Sequence, residues 1–118
     1  MADGLFIGYG RAVHGREEKA GMVFQEVIEY YTRLQQQGEI ESFEPVALEL
    51  HGGDLEGFIL IRGEREKLDR LRRNDEFMRL IVRGSAVVEH LGIVSAMIGI
   101  ERVGQFIQTA QGNTADLT

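Results

Sequence analysis

The sequence predicts an α+β domain with a four-stranded antiparallel sheet and both helices on one face of it. Four short apolar stretches alternate with helix-patterned segments in the order βαββαβ, the order of a split β-α-β unit. They are residues 5–13, 40–50, 57–62 and 91–100. Pro45 supports this topology independently, because proline is tolerated mainly in edge strands and the second strand is an edge in the sheet order 4-1-3-2. Since such a sheet leaves its other face bare, we expect a second copy of the chain to cover it.

Length and composition bound the class of protein. The 118 residues predict one domain, residues 1–111, followed by a flexible polar tail at residues 112–118. The chain has no cysteine, which excludes disulfides and thiolate metal sites and fits a reducing compartment. We expect a soluble, cytoplasmic protein without a membrane partner, because no stretch approaches the ~20 apolar residues of a membrane span. The net charge of -6 argues against nucleic-acid binding, which depends on neutralising phosphates.

The first strand is apolar on both faces. Tyr9 and Arg11 share one face, whereas Gly8 and Gly10 share the other. Glycine inside a strand marks close approach of a helix, another backbone or a ligand. We expect the glycine face to pack against the helices, which directs Tyr9 and Arg11 into a barrel formed with a partner. A buried arginine requires a carboxylate or ligand, and Glu56, at the adjoining end of the third strand, is the predicted partner of Arg11.

The first helix is predicted to begin near Gly15, with Glu17 and Glu18 in its first turn, where acidic side chains suit the positive end of the helix dipole. Apolar residues then recur at steps of three and four: Ala20, Val23, Phe24, Val27, Tyr31 and Leu34. Gly38 follows as a left-handed stop. The segment His51-Gly52-Gly53-Asp54 has turn chemistry, which predicts a hairpin between the second and third strands.

The second helical region is predicted in two pieces, because Asn74-Asp75-Glu76 has the pattern of a fresh helix N-cap. The region is also basic. Residues 62–83 hold eight of the thirteen lysines and arginines against five acids, a local charge of +3, so the rest of the chain carries -9. Such a run is usually a solvated helix face. A protein-interaction module whose partner docks on this helix is an alternative, and its key residues would be Arg72, Arg73 and Arg79.

The fourth strand, residues 92–100, is apolar on both faces although the topology places it at the other edge of the sheet. An exposed apolar edge favours association. Beyond Arg102, residues 103–110 are predicted to form either a short helix or an extension that embraces a partner.

The pattern from Leu5 to Arg102 resembles the dimeric α+β barrel superfamily of proteins with a ferredoxin-like βαββαβ sheet. The stretch Arg73-Asn74-Asp75-Glu76-Phe77 is similar to the helix break before the last strand in the antibiotic-biosynthesis-monooxygenase-like branch and related uncharacterised branches. This resemblance implies a homodimer in which two sheets pack face to face. It also implies that any catalytic pocket lies between a sheet and its helices or loops. The superfamily includes cofactor-free oxygenases, isomerases, haem proteins and members with no known activity.

The predicted topology brings three histidines to one end of the sheet: His14 after the first strand, His51 after the second and His90 before the fourth. Histidine is the natural acid or base near neutral pH, so His14 and His51 are the candidate catalytic residues. Tyr9 and Arg11 are the candidate ligand-binding residues. Strands lie ~4.8 Å apart, which separates the second and fourth strands by about 14 Å, whereas zinc holds its ligands at ~2 Å. We therefore expect no metal and no cofactor.

Three functions are consistent with the sequence. The first is a homodimer of uncharacterised role that binds a small organic ligand near Tyr9, Arg11, His14 and His51. The second is a small-metabolite enzyme, such as a cofactor-independent oxygenase or isomerase, with a histidine base. The third is the protein-interaction module. The first is preferred because no nucleophile motif, phosphate loop or metal signature accompanies the predicted architecture.

Overall fold

The chain forms a four-stranded antiparallel sheet with helices packed on one face, in a computed structural model that describes residues 3–118. The elements are β1 (Asp3–Tyr9), α1 (Glu17–Gln36), β2 (Ser42–Ala47), β3 (Gly57–Gly63), α2 (Arg65–Leu71), α3 (Asp75–Val87), β4 (Gly92–Met97), α4 (Ile100–Thr114) and a 3-10 turn (Ala115–Leu117). The strand order is β2-β3-β1-β4, which is the predicted order named from the opposite edge. The predicted fold class is therefore confirmed, with Pro45 in an edge strand.

The pairing of the strands defines a helix-covered face of the sheet. Ile7 in β1 lies opposite Ile59 in β3 and Ile93 in β4, and directly opposed residues share a face. Leu5 lies opposite Ile61, which is 0% exposed. These side chains pack beneath the helices in one apolar core. Its other members include Tyr30, Tyr31, Leu34, Leu68, Leu71, Phe77 and Leu80.

The predicted end of the first helix is confirmed. Gly38 has a φ of 76°, the left-handed conformation that glycine adopts without a steric penalty. Its amide donates to the Gln35 carbonyl at 3.1 Å, and the Glu39 amide donates to the Leu34 carbonyl at 2.9 Å. The last carbonyl groups of α1 are thereby satisfied, and the chain turns back toward β2.

The predicted break in the second helical region is also confirmed. Asn74 caps α3, and its Oδ1 accepts hydrogen bonds from the amides of Glu76 at 2.9 Å and Phe77 at 3.2 Å. The Tyr30 hydroxyl donates to the same oxygen at 3.2 Å and so ties the cap to α1. Phe77 is buried, with its ring centroid 6.5 Å from that of Tyr31. The cap thus positions the first core residue of α3.

The predicted orientation of β1 is wrong. Gly8 lies on the face away from the helices, where an added Cβ would come 2.7 Å from Phe6 Cε1. Gly10 makes room for another backbone rather than for a helix, because its amide donates to the Glu89 carbonyl at 2.7 Å. Tyr9 consequently points toward the helices and not into a barrel. Since both faces of β1 are apolar, the alternation of residues shows that two faces exist but not which one meets the helices.

The opposite face of the sheet, named here the open face, is apolar except for the Arg62–Glu44 ion pair and Ser42 at one end. Phe6 and Phe58 stack at its centre, with ring centroids 4.9 Å apart. Register adds four further apolar side chains to it: Val46, Leu60, Val94 and Ala96. Val94 is 58% exposed. Helices α1 to α3 pack on the other side, so within residues 3–118 the open face has no helical cover.

The C-terminal segment is a helix, which confirms one of the two predicted alternatives. Helix α4 spans residues 100–114 and continues into a 3-10 turn, so it includes the first part of the predicted polar tail. The mobility of that tail stays a prediction. Gly99, with a φ of 98°, precedes α4. None of the helices within residues 3–118 is both long and apolar enough to cross a bilayer.

Candidate functional site

A cleft of about 490 Å³ lies between the helix-covered face and the helices α1 and α3. Its floor is formed by side chains of β1 and β3: Ile7, Tyr9 and Ile59. Its walls are formed mainly by apolar side chains of α1 and α3: Val23, Phe24, Val27, Tyr31, Leu80, Ile81 and Val87. A concave site with apolar walls is the usual form of a small-molecule pocket.

Part of the cleft stays empty because several of the residues that line it are small. Ala20 and Gly21 line it from α1, and Gly84 lines it from α3. An added Cβ at Gly21 would meet no atom within 4 Å, and one at Gly84 would meet Leu91 Cδ2 at 3.4 Å. Larger side chains at these positions would enter the empty space. The volume is therefore a consequence of the sequence.

An ion pair joins the two helical walls. Arg83 of α3 donates from Nε to Glu26 Oε1 at 3.0 Å and from Nη2 to Glu26 Oε2 at 2.6 Å. The hydrogen bond from Arg83 holds the pKa of Glu26 below its ordinary value. This two-point contact links α1 to α3.

Tyr9 presents a hydroxyl group to the cleft. Its ring lies over β3 because Gly57, opposite in register, has no side chain; an added Cβ at Gly57 would be 2.7 Å from Tyr9 Oη. Burial raises the pKa of Tyr9, so the phenol is neutral and can donate a hydrogen bond near neutral pH. No side-chain hydrogen bond within residues 3–118 uses this hydroxyl.

Tyr31 presents a second hydroxyl group. The residue is 1% exposed, and its ring packs edge-on against Phe43, with centroids 5.8 Å apart. Burial raises its pKa, so this phenol is also neutral. Within residues 3–118 the Tyr31 hydroxyl makes no side-chain hydrogen bond. Its oxygen is not completely buried. Tyr31 is one of the residues that line the cleft.

Arg11 and Glu56 border the cleft where β1 ends. The Arg11 side chain is 77% exposed, and its Nε lies 3.9 Å from Glu89 Oε2. The prediction that Glu56 is its partner is wrong. Beyond Tyr9 the chain leaves β3 and runs beside residues 87–89, where the Glu89 amide donates to the Arg11 carbonyl at 2.9 Å. An ion pair this exposed contributes little to stability, so Arg11 is free to meet a ligand.

The histidines do not enter the cleft. His51 stabilises its own hairpin loop: its Nε2 lies 2.6 Å from the Leu55 carbonyl oxygen, and its Nδ1 accepts from the Gly53 amide at 3.2 Å. His14 is exposed in the turn before α1, and His90 occupies a turn with a φ of 57°. The structure thus brings Tyr9 and Arg11 together and leaves the histidines outside. Catalytic roles for His14 and His51 stay predictions.

No cluster of three or more histidine, aspartate or glutamate side chains in the described part of the chain is arranged to hold a metal ion.

The basic helix α2 uses part of its charge within the chain. Lys67 Nζ donates to the Gly38 carbonyl at 2.9 Å, beside the negative end of α1. Arg72 Nη1 lies 3.5 Å from Ser95 Oγ. These contacts serve packing, and the interaction-module hypothesis gains no support from them.

Sequence reasoning missed Tyr31 as a site residue because it follows the core periodicity of α1. A usable signal was present in Gly21 and Gly84. Glycine inside a helix destabilises it by roughly 0.5–1 kcal/mol relative to alanine. Gly21 and Gly84 both line the cleft, so this cost indicates that their positions serve something other than helix stability.

Comparisons with known proteins show the fold. No protein-family model matches the chain, and no curated protein matches it either. The structure is similar to that of a dimeric protein of unknown function with a ferredoxin-like fold from Bacteroides fragilis. The TM-score is 0.59 at 10% sequence identity, and the match covers 80% of this chain and 93% of the other. The ferredoxin-like α+β fold is thereby confirmed, whereas the antibiotic-biosynthesis-monooxygenase-like branch stays a prediction.

Proposed function

We propose that this protein is a homodimer that binds a small, mostly apolar organic molecule carrying a hydrogen-bond acceptor in the cleft. The observation that supports the proposal is the cleft itself: about 490 Å³, bounded by apolar side chains, with two tyrosine hydroxyls that have no side-chain partner within residues 3–118. Ligand pockets commonly measure roughly 300–1,000 Å³ and orient the ligand through a few polar groups.

The chemistry of the lining favours a class of ligand. Both phenols are neutral because burial raises their pKa, so each donates a hydrogen bond. A carbonyl, ether or hydroxyl oxygen on the ligand would accept from Tyr9 and Tyr31. Arg11 at the rim adds an exposed positive charge that tolerates an acidic substituent outside the cleft.

The homodimer rests on the open face. Phe6, Phe58 and Leu60 are half-buried there by their neighbours in the sheet, and Val94 is exposed. Contiguous apolar surface of this kind marks an interaction site. The structural neighbour from Bacteroides fragilis is described as dimeric, and the resemblance to dimeric α+β barrels implies sheet-to-sheet packing. A second copy supplies a surface of the same composition.

The ligand proposal is tested with prodan, an uncharged naphthalene dye with one ketone oxygen and polarity-dependent fluorescence. We expect its emission to shift to the blue and its binding to saturate. Tyr9→Phe should weaken binding about 2- to 10-fold, because one hydrogen bond contributes a net ~0.5–1.5 kcal/mol. Ala20→Phe should weaken it at least about 10-fold by filling the cleft.

Two variants serve as matched controls. Tyr30→Phe removes a tyrosine hydroxyl that donates to Asn74 outside the cleft, and Gln25→Phe adds the same side chain to an exposed position of α1. Both should bind prodan as the unmodified chain does. If prodan fails to bind, or binds equally to Tyr9→Phe and Ala20→Phe, the ligand proposal is overturned.

A further inference from the structure

Helix α4 carries an apolar stripe that its own chain does not bury. Ile100, Val103, Phe106 and Ile107 follow the helical steps of three and four, and all are exposed, Ile100 by 95%. Glu101, Gln105 and Gln108 lie on the opposite side of the helix. No residue of α4 is buried. An amphipathic helix normally buries its apolar side against a partner surface.

The composition of α4 argues against a helix that stays in water. Residues 103–115 contain no charged side chain, although charged residues make up 27% of the whole chain. Soluble surfaces typically carry about 25–35% charged residues. The uncharged run follows Arg102 directly and continues to Asp116. The segment therefore has the composition of an interface rather than of a solvated tail.

Helix α4 contacts mainly β4 and the 3-10 turn that follows it, and the chain as a whole is less compact than usual. The radius of gyration is 16.2 Å, whereas a compact chain of this length has about 13.5 Å. The position of the helix base is nonetheless defined, because Arg102 Nε donates to Asp3 Oδ1 at 2.9 Å in a largely buried ion pair. A projecting helix with an anchored base is arranged to reach a neighbouring molecule.

The stripe begins close to the open face in sequence. Ile98 packs over Gly4 on that face, where its Cδ1 would lie 2.6 Å from an added Cβ, and Ile100 follows two residues later.

In projection the open face measures roughly 400 Å², from four strands ~4.8 Å apart and six residues long. The 15-residue helix adds about 200 Å² in projection, so it enlarges the apolar surface available to a partner by about half.

We propose that the apolar stripe of α4 packs against a second copy of this chain, so that each protomer clasps the other beside the paired open faces. The proposal rests on the homodimer proposed above and assigns α4 a part in it. The symmetry of a two-fold dimer makes the contact reciprocal, with two helices contributing to one interface.

The test compares full-length variants that add the same charge to opposite sides of α4. Phe106→Glu with Ile107→Glu places two carboxylates in the stripe, and Gln105→Glu with Gln108→Glu places two on the polar side. By sedimentation equilibrium, the stripe variant should raise the dimer dissociation constant about 100-fold or more. The polar-side variant should change it less than about 3-fold.

Hydrogen exchange of the unmodified chain provides a second measurement that needs no variant. The α4 amides should exchange at least about 10-fold more slowly at concentrations where the dimer forms than in dilute monomer. If the chain is a monomer at micromolar concentrations, the homodimer and the clasp are both overturned. If the dimer forms but α4 exchange and the stripe variant's dissociation constant are unchanged, the clasp is overturned while the homodimer stands.

Discussion

The two faces of the sheet are built from similar side chains but have different surroundings. Ile61 and Leu60 are neighbours in β3 and point to opposite faces. Ile61 is 0% exposed beneath the helices, whereas Leu60 remains half-buried on the open face. On either face, an apolar side chain is removed from water only where another part of the protein covers it. Helices of the chain supply that cover for one face, and the proposed homodimer would supply it for the other.

The covered face is also the face with the cleft. Its helices fit closely over Leu5 and Ile61 but stand off near Tyr9, where Ala20, Gly21 and Gly84 leave space. Within residues 3–118 the open face carries no tyrosine. The difference separates two roles within one sheet: one side holds the candidate ligand site, and the other is the candidate dimer surface.

The largest expected effect comes from replacing each of the two neighbours in β3, Leu60 and Ile61, by alanine. Ile61→Ala should lower the free energy of unfolding by about 2–5 kcal/mol at every protein concentration, because it leaves a cavity in the intrachain core. Leu60→Ala should act mainly by weakening the dimer. Urea unfolding followed by circular dichroism, at low and high protein concentration, measures both.

The expected difference between the two faces would be contradicted if Leu60→Ala destabilised dilute protein as strongly as Ile61→Ala does. That result would mean that the open face is already covered within one chain. A second result would contradict the role of the open face in association. In that result, the stability of neither variant depends on protein concentration, and sedimentation shows a single folded subunit.

A smaller effect is expected at the helix cap that holds α3 over the covered face. Asn74→Ala should lower the free energy of unfolding by about 1–2 kcal/mol, since it removes two amide contacts and the acceptor of the Tyr30 hydroxyl. Asn74→Asp keeps an acceptor oxygen and should stay within about 0.5 kcal/mol of the unmodified chain. Equal losses in the two variants would show that the cap oxygen is not what matters.

The smallest effect is expected at the ion pair between α1 and α3. Arg83 lowers the pKa of Glu26 from its ordinary 4.5, so the contact stabilises the fold above that pH and is lost as the pH falls through the lowered value. Glu26→Gln should therefore flatten the loss of stability on acidification. Glu29→Gln on the same helix is the control, because Glu29 has no ion-pair partner within residues 3–118. Parallel acid titrations of unfolding in both variants measure the difference.

Much of the fold could be predicted because its signals are local. Asn74 before an apolar helix, Gly38 after one and Pro45 in an edge strand each constrain the backbone within a few residues. The candidate site was predicted less well. Tyr9 and Arg11 do line the cleft, but Tyr31 and the glycines that create the space depend on how α1 and α3 sit over the sheet.

The sequence by itself determined the order of the elements, their caps and the presence of two apolar sheet faces, because these follow from spacing and backbone restrictions. The tertiary structure decided which face of β1 meets the helices and where the cleft opens. It also decided that Arg11 approaches Glu89 and not Glu56. It also revealed that α4 buries none of its apolar stripe. The physical reason is that an apolar side chain specifies removal from water but not the surface that removes it.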